Sequence, residues 1–271
     1  MQISLIISTY NNPGALAALL RSVIRQTRPP YEVIVGDDGS GPETLAVIQA
    51  AKAAAEFPPV HHVWQEDRGF RVARARNGAI AKSGGEYLVF VDGDVVLHER
   101  FMEDHAAMAL PDSFIEGGRV YLYEEQTRLA LQSEAYWPSL FSKGIGSRKN
   151  LIRCRLAAAF FQKRNMATAR SCNFAAWRAD LVRVNGFNED FEGWGLEDNE
   201  LAVRLLNAGC RGRCLRHMAL CCHLQHPHHS RETAKKNKEL YLLARKEKRT
   251  WCDNGLNGHG TISVMRDDAN G

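Results

Sequence analysis

No apolar run in this chain approaches the ~20 residues that a membrane-spanning helix needs, which argues against a spanning protein. Proline and glycine are too sparse, at nine and 22 in 271 residues, for a collagen-like or generally disordered chain. Charge of one sign is also scarce: the formal net charge is only +4, so bulk attraction to nucleic acid is not expected. No internal repeat is visible. The opening residues, MQISLIISTYNN, lack the basic start and cleavage site of a signal peptide and read as a strand. Seven cysteines make an odd set, and reduced cytoplasmic thiols are expected rather than a disulfide framework. What remains is an ordinary globular mixture, 45% hydrophobic and 24% charged, with enough apolar residues for one large α/β domain or two small ones.

Hydrophobic periodicity organises the first half. Residues 3–8 form an apolar, β-rich run, and Asn12-Pro13 opens a helix carrying Leu16, Leu19, Leu20, Val23 and Ile24 at helical spacing. Further strands are expected at 32–35, 61–65 and 86–91, with helices from Pro42 to about Glu56 and over 71–82. Continuous apolar strands alternating with helices predict a mostly parallel sheet covered on both faces. In such sheets ligands bind beyond the carboxyl ends of the strands, where Ser8 to Asn11, Asp37 to Ser40 and Asp92 to Asp94 fall. The second half is less regular. A strand is expected over 113–123 and a helix over 124–135. An irregular Gly/Arg/Lys-rich loop should follow over 138–165, then a short helix over 178–184. A helix starting near Gly195 should turn Leu201, Leu205 and Leu206 inward. Residues 215–222 read as a last strand, the chain after His229 as a basic helix, and GLNGHGTISVMRDDANG as a frayed end.

Several residue groups carry chemistry. Asp92-Gly93-Asp94 places two carboxylates one residue apart, suited to a hard divalent cation such as Mg²⁺ or Mn²⁺; Asp-Gly is equally a turn former. Asp38, at a strand tip, suits a nucleobase imide or ribose hydroxyl, whereas Asp37 and Ser40 also fit a turn and helix cap. Tyr10 suits base stacking or simple half-burial. Among Arg68, Arg71, Arg74 and Arg76, the pair Arg71 and Arg74 shares a helix face, which fits either a pyrophosphate or a solvated basic face. In Gly193-Trp194-Gly195-Leu196-Glu197-Asp198, the acidic pair suits a helix N-terminus. With flanking glycines and a tryptophan platform it also suits a site where one carboxylate takes a proton and the other holds an acceptor. A rival lies in the Cys/His-rich stretch from Cys210 to His229. It suggests structural zinc, with the following Lys/Arg helix touching nucleic acid, although the spacing fits no standard finger. A metal-dependent nucleotidyltransferase is a further alternative, but it gives GWGLEDNE no place.

The segments STYNN, GDDGS, ARN (75–77) and FVDGD together resemble the N-terminal pattern of inverting glycosyltransferases of family 2, which have the GT-A fold. QEDRGFRVARARN (65–77) with GEYLVFVDGD is similar to the N-acetylgalactosaminyltransferase part of chondroitin polymerases. NGFNEDFEGWGLEDNELAVRLLNAG (185–209) is similar to the C-terminal WGxED signature of β-1,4-galactosyltransferases. The likeness covers roughly residues 1–226. It implies a nucleotide-sugar half (1–110), an acceptor and catalytic half (111–229) and a basic tail (230–271). It implies that Asp38 contacts uracil with Ser8 and Tyr10 nearby, that Arg71 lies near the diphosphate, and that Asn77 belongs to the donor site. Asp92 and Asp94 would hold Mn²⁺ or Mg²⁺ on UDP, with Asp94 the more direct ligand and His223 or His226 completing the site. Trp194 would border both sugars, Asp198 would be the base and Glu197 would bind the acceptor. The partners so implied are a UDP-sugar and a glycan or lipid-linked saccharide, with no nucleic acid. The basic tail would touch the cytoplasmic face of a membrane, or pack on the domain through Leu240, Leu242 and Leu243.

Overall fold

The structure, a computed structural model, describes residues 1–160, 163–164, 169–227 and 233–260. Its N-terminal part follows the expected alternation: β1 (Ile3–Thr9), α1 (Pro13–Ile24), β2 (Glu32–Asp37), α2 (Pro42–Ala53), β3 (Val60–Trp64), α3 (Val72–Lys82) and β4 (Tyr87–Asp92). Local chemistry sets the ends. Asn12 caps α1 by accepting from the Ala15 N–H at 3.3 Å, and Pro13 sits where its missing donor costs nothing. β1 pairs in parallel with both β2 and β4, and β2 with β3. Successive strand residues point to opposite faces, and both faces are covered. Leu5, Ile7, Val33, Val35, Val89 and Val91 pack with α1 and α2, whereas Ile6, Ile34, Leu88 and Phe90 pack with α3. Burial on both sides is why these strands read as unbroken apolar runs.

The chain continues through β5 (Val95–Leu97), α4 (Phe101–Met108), β6 (Ser113–Gly117), β7 (Arg119–Leu122) and α5 (Glu124–Gln132). Then come β8 (Ile145–Gly146), α6 (Arg155–Phe160), β9 (Lys163–Arg164), β10 (Phe174–Trp177) and α7 (Arg178–Arg183). The last elements are α8 (Glu197–Asn207), β11 (Arg211–Leu215), β12 (Cys221–His223) and α9 (Ala234–Lys246). The large sheet has the order β3-β2-β1-β4-β10-β6-β11-β9, with β10 antiparallel to its neighbours. A second sheet has the order β5-β12-β7-β8.

The structure corrects three expectations. The run 113–123 is two strands in different sheets, broken at Gly117-Gly118. There the Asn173 amide donates to the carbonyls of Gly118 (2.9 Å) and Ala219 (2.8 Å). A Cβ at Gly117 would lie 2.2 Å from that amide nitrogen, so only glycine lets the side chain in. The run 215–222 is likewise divided, with His217 and Ala219 at positive φ in the turn between β11 and β12. Finally, Gly255 to Gly260 is not frayed. Leu256 is buried, its N–H donates to the Asn185 carbonyl at 2.9 Å, and His259 meets Glu189. The expected fraying of residues 261–271 lies outside the described residues. α9 packs on α8, but it buries Asn237 and Ala244 while Leu242 and Leu243 face outward.

Candidate active site

The register of β1, β2 and β4 aligns their carboxyl ends: Thr9 is opposite Asp37, and Ser8 is opposite Asp92. A cavity of about 1440 Å³ opens at this edge. Residues distant in sequence converge on it, among them Tyr10, Asp38, Asp94, Trp194, Asp198 and His226.

Asp94 follows β4 and leads into β5. Antiparallel pairing sets His223 opposite Val95, beside it. His223 Nε2 is 3.6 Å from Asp94 Oδ1, and His226 Nε2 is 3.2 Å from Oδ2. One ligand atom from each of the three lies within 4.8 Å of the others. Asp94 Oδ1 is buried without a hydrogen-bond partner, an arrangement native proteins avoid unless something fills it. Burial, with Asp92 beside it, pushes the Asp94 carboxyl up to about 7. Burial and then Arg119 push His223 down to about 4, so its ring stays neutral. One carboxylate with two imidazoles suits a divalent first-row cation, Mn²⁺ among them. Asp92 takes no part in this triad. Its Oδ1 accepts from Arg76 at 3.0 Å.

Arg76 is the principal residue that sequence reasoning passed over. Buried on α3, it donates to Ser8 Oγ, Asp92 Oδ1 and Glu197 Oε1, each at 3.0 Å. It thereby ties β1, the carboxylate pair and α8 together. The available signal was its position. Ala73, Arg76, Asn77 and Ile80 recur at helical spacing on the buried stripe of α3, where a charge needs a purpose. Arg71 does not line the cavity. Its backbone N–H donates to Asp38 Oδ2 at 2.7 Å, and its guanidinium turns back to the Glu66 carbonyl. Arg74 pairs with Glu189 at 3.1 Å, outside the cavity. Asn77 is also corrected: it is buried away from the cavity. Its amide donates to Phe187 O (2.8 Å) and Glu189 Oε1 (2.9 Å), and its oxygen accepts from the Phe187 N–H (2.8 Å).

Asp38 is buried at the cavity, and burial raises its pKa. Its Oδ1 accepts from Gln65 at 2.5 Å. Tyr10 is exposed at the rim, its hydroxyl donating to Asp67 at 2.9 Å. Trp194 also lines the cavity and is 44% exposed. The loop that presents it turns through Gly193 (φ 72°), Gly195 (φ 106°) and Leu196 (φ 74°). A Cβ at Gly193 would meet Thr233 Oγ1 at 2.1 Å. Leu196 holds a left-handed conformation that a non-glycine residue rarely adopts. That turn delivers Glu197 and Asp198 into the first turn of α8. Asp198 Oδ1 accepts from the Asn199 N–H at 2.8 Å, and Oδ2 from the Ser171 N–H at 3.3 Å. Burial, reinforced by Glu197, pushes its carboxyl up to about 7. Arg119 reaches the cavity from β7, over the Tyr121 ring at 5.0 Å and donating to Cys172 Sγ at 2.9 Å. Among the described residues no carboxylate lies within ion-pair distance of it.

The cysteines of the Cys/His-rich stretch are not gathered as a zinc finger would gather them. Among the described residues the one gathering of possible ligands is Asp94, His223 and His226. Cys210, Cys221 and Cys222 are buried in three separate apolar clusters. His228 and His229 lie outside the described residues.

An open, mostly parallel sheet with an Asp/His/His cluster and acidic side chains beyond its strand ends has the layout of the GT-A fold. Residues 4–181 match the profile described as "Glycosyl transferase family 2", and residues 153–230 that described as "N-terminal domain of galactosyltransferase". The chain belongs to glycosyl transferase family 2. It is 32% identical over 219 residues to validoxylamine A glucosyltransferase of Streptomyces hygroscopicus subsp. limoneus, covering 75% of this chain and 47% of that protein. It is 27% identical over 275 residues to the chondroitin synthase of Escherichia coli, covering 90% and 38%. The chain thus spans less than half the length of these relatives. Among solved structures, S. aureus TarS 1-349 in complex with UDP matches with a TM-score of 0.61 and 19% identity, covering 92% of this chain and 68% of that one. Mannosyltransferase PcManGT from Pyrobaculum calidifontis, with GDP-Man and Mn2+, matches at 0.59 and 19%, covering 91% and 63%. Among the described residues no helix is long and apolar enough to cross a membrane.

Proposed function

We propose that the protein moves a hexose or N-acetylhexosamine from a UDP-sugar to a hydroxyl of a glycan or lipid-linked saccharide, with inversion and dependence on Mn²⁺ or Mg²⁺. The observation that carries this reading is the shared cavity: the Asp94–His223–His226 cluster and the Asp198 carboxylate both line it.

The labour divides along the chain, with residues 1–110 serving the donor and 111–229 the acceptor and catalysis. Asp38, Ser8 and Tyr10 receive the uridine. Asp94, His223 and His226 hold the cation, with Asp92 beside them. A bound Mn²⁺ or Mg²⁺ supplies positive charge against the leaving diphosphate. Arg119, without a carboxylate partner, adds fixed positive charge on the same side. Arg76 is a positioning residue. Trp194 gives the sugars an apolar platform, and Glu197 orients the acceptor. Asp198 removes the acceptor hydroxyl proton as that oxygen attacks the anomeric carbon opposite the leaving group. An α-linked donor thereby gives a β-linked product. Its raised pKa suits this task, since a base near neutrality accepts a proton with useful driving force. A location at the cytoplasmic membrane face belongs to the same reading. α9 contributes exposed Lys235 and Lys236 with outward Leu242 and Leu243.

The test is Asp198→Asn, assayed against a panel of UDP-sugars with Mn²⁺. It should bind UDP as the wild type does and lose roughly 10²–10⁴-fold in transfer. Transfer at the wild-type rate would remove Asp198 from the role.

A further inference from the structure

Between Ala135 and Ala179 the sequence holds no aspartate or glutamate, while lysine and arginine recur throughout. The described part of this stretch forms a strap. It joins the second sheet at β8 and runs through a turn at Arg148–Leu151 to α6. It starts beside the cavity: the Tyr123 N–H donates to Gly144 O at 2.9 Å, Tyr121 is paired with Gly146, and both tyrosines line the opening.

The strap turns apolar groups into water. Phe141 is 91% exposed and Leu156 is 75% exposed, with Leu140 and Ile152 exposed as well. Interleaved with them, Lys143, Arg148, Lys149 and Arg155 are exposed. Arg148 donates to the Leu140 carbonyl at 2.7 Å, which fixes a cation beside the apolar tip. A single exposed leucine needs no explanation, but large apolar side chains spaced among cations along one segment mark an interaction surface.

We infer that this strap docks the protein on an anionic lipid bilayer, with the cavity mouth held at the level of the lipid headgroups. Phenyl and aliphatic side chains enter the boundary between headgroups and chains, while the cations meet anionic headgroups. The absence of carboxylates over the whole stretch removes the repulsion such a surface would impose. A nucleic acid would engage the cations and Phe141 but leave Leu140, Ile152 and Leu156 in water. The value of this docking to the enzyme, access to a lipid-borne acceptor, rests on the transferase reading. The docking itself does not.

Sedimentation of the full chain with vesicles of 1:1 phosphatidylglycerol and phosphatidylcholine tests it without donor or acceptor. Wild type should pellet with these vesicles, be released by salt, and stay in solution with pure phosphatidylcholine. Leu140→Ser with Phe141→Ser should lower the partition coefficient at least tenfold with an unchanged thermal melt, because both side chains are exposed. Lys143→Gln with Lys149→Gln should lower it several-fold. Equal partitioning of wild type and the double serine variant overturns the proposal, as does failure of wild type to bind. Complete loss of binding in Lys235→Gln with Lys236→Gln alone would assign the surface to α9 and also overturn it.

Discussion

The side chain on which most depends is Arg76. A buried guanidinium facing two carboxylates is costly to create and worse to break. Arg76→Met should therefore destabilise the fold by about 3–5 kcal/mol, seen as a lowered Tm, and abolish transfer by freeing Asp92 and Glu197. An Arg76→Met protein with wild-type Tm and turnover would refute that role. Asp198 carries a second prediction. Burial and Glu197 raise its carboxyl to about 7, so the ionised base is lost below that value, and transfer rate should rise with pH through about 7. A flat rate from pH 5.5 to 8 would show that another group takes the proton. That Asp38, Asp92 and Asp94 would line one cavity was legible because they stand at the carboxyl ends of parallel strands, which open on a common edge. Arg71 was expected at the site because it shares a helix face with Arg74, whereas Arg76 falls with Ala73 and Ile80 on the stripe that turns inward.

At the scale of elements, the strands and helices up to β4 were legible, since period-2 and period-3.6 patterns are strong where both sheet faces are covered. Beyond β4 the local pattern still found the helices at Glu124–Gln132, Arg178–Arg183 and Glu197–Asn207, but it missed where the strands break. The breaks at Gly117-Gly118 and at His217 to Ala219 depend on Asn173, a side chain more than 40 residues away in sequence. Tertiary contact, not propensity, also decides the C-terminal segment. Leu256 is buried against α3, and its neighbour Asn257 donates its N–H to Asn185 Oδ1 at 2.8 Å. Leu256→Ala should cost about 2–5 kcal/mol, the range for large-to-small changes in a core. Chemical denaturation reads this directly, and a loss under about 0.5 kcal/mol, the level of a surface change, would mean that the segment is not docked. α9 shows the same limit. Its leucines read as an inward face, but Leu242 and Leu243 are exposed, and α9 buries Ala244 and Asn237, whose amide donates to the Glu192 and Gly195 carbonyls at 3.2 and 3.1 Å.

At the scale of the molecule, the sheet topology gathers chemistry from three distant stretches. β4 leads into the carboxylate pair, α8 brings Asp198, the proposed base, and β12 with the residues after it returns the histidines. The WGLED turn and the DGD pair belong to one site because β10 runs antiparallel beside β4, placing the second half of the chain against the strand ends of the first. The pairing of those stretches, and of Asp94 with His223 or His226, was legible through family likeness, whereas the approach of both histidines to Asp94 required the register of β12 on β5. In the proposed enzyme this convergence clamps a UDP donor through a divalent cation. Calorimetric titration of UDP into wild type and Asp94→Ala, each with Mn²⁺ and with a chelator, tests it most directly. Wild type should bind at least tenfold more tightly with Mn²⁺, and Asp94→Ala should show no such gain. Equal UDP affinity in all four titrations would contradict it.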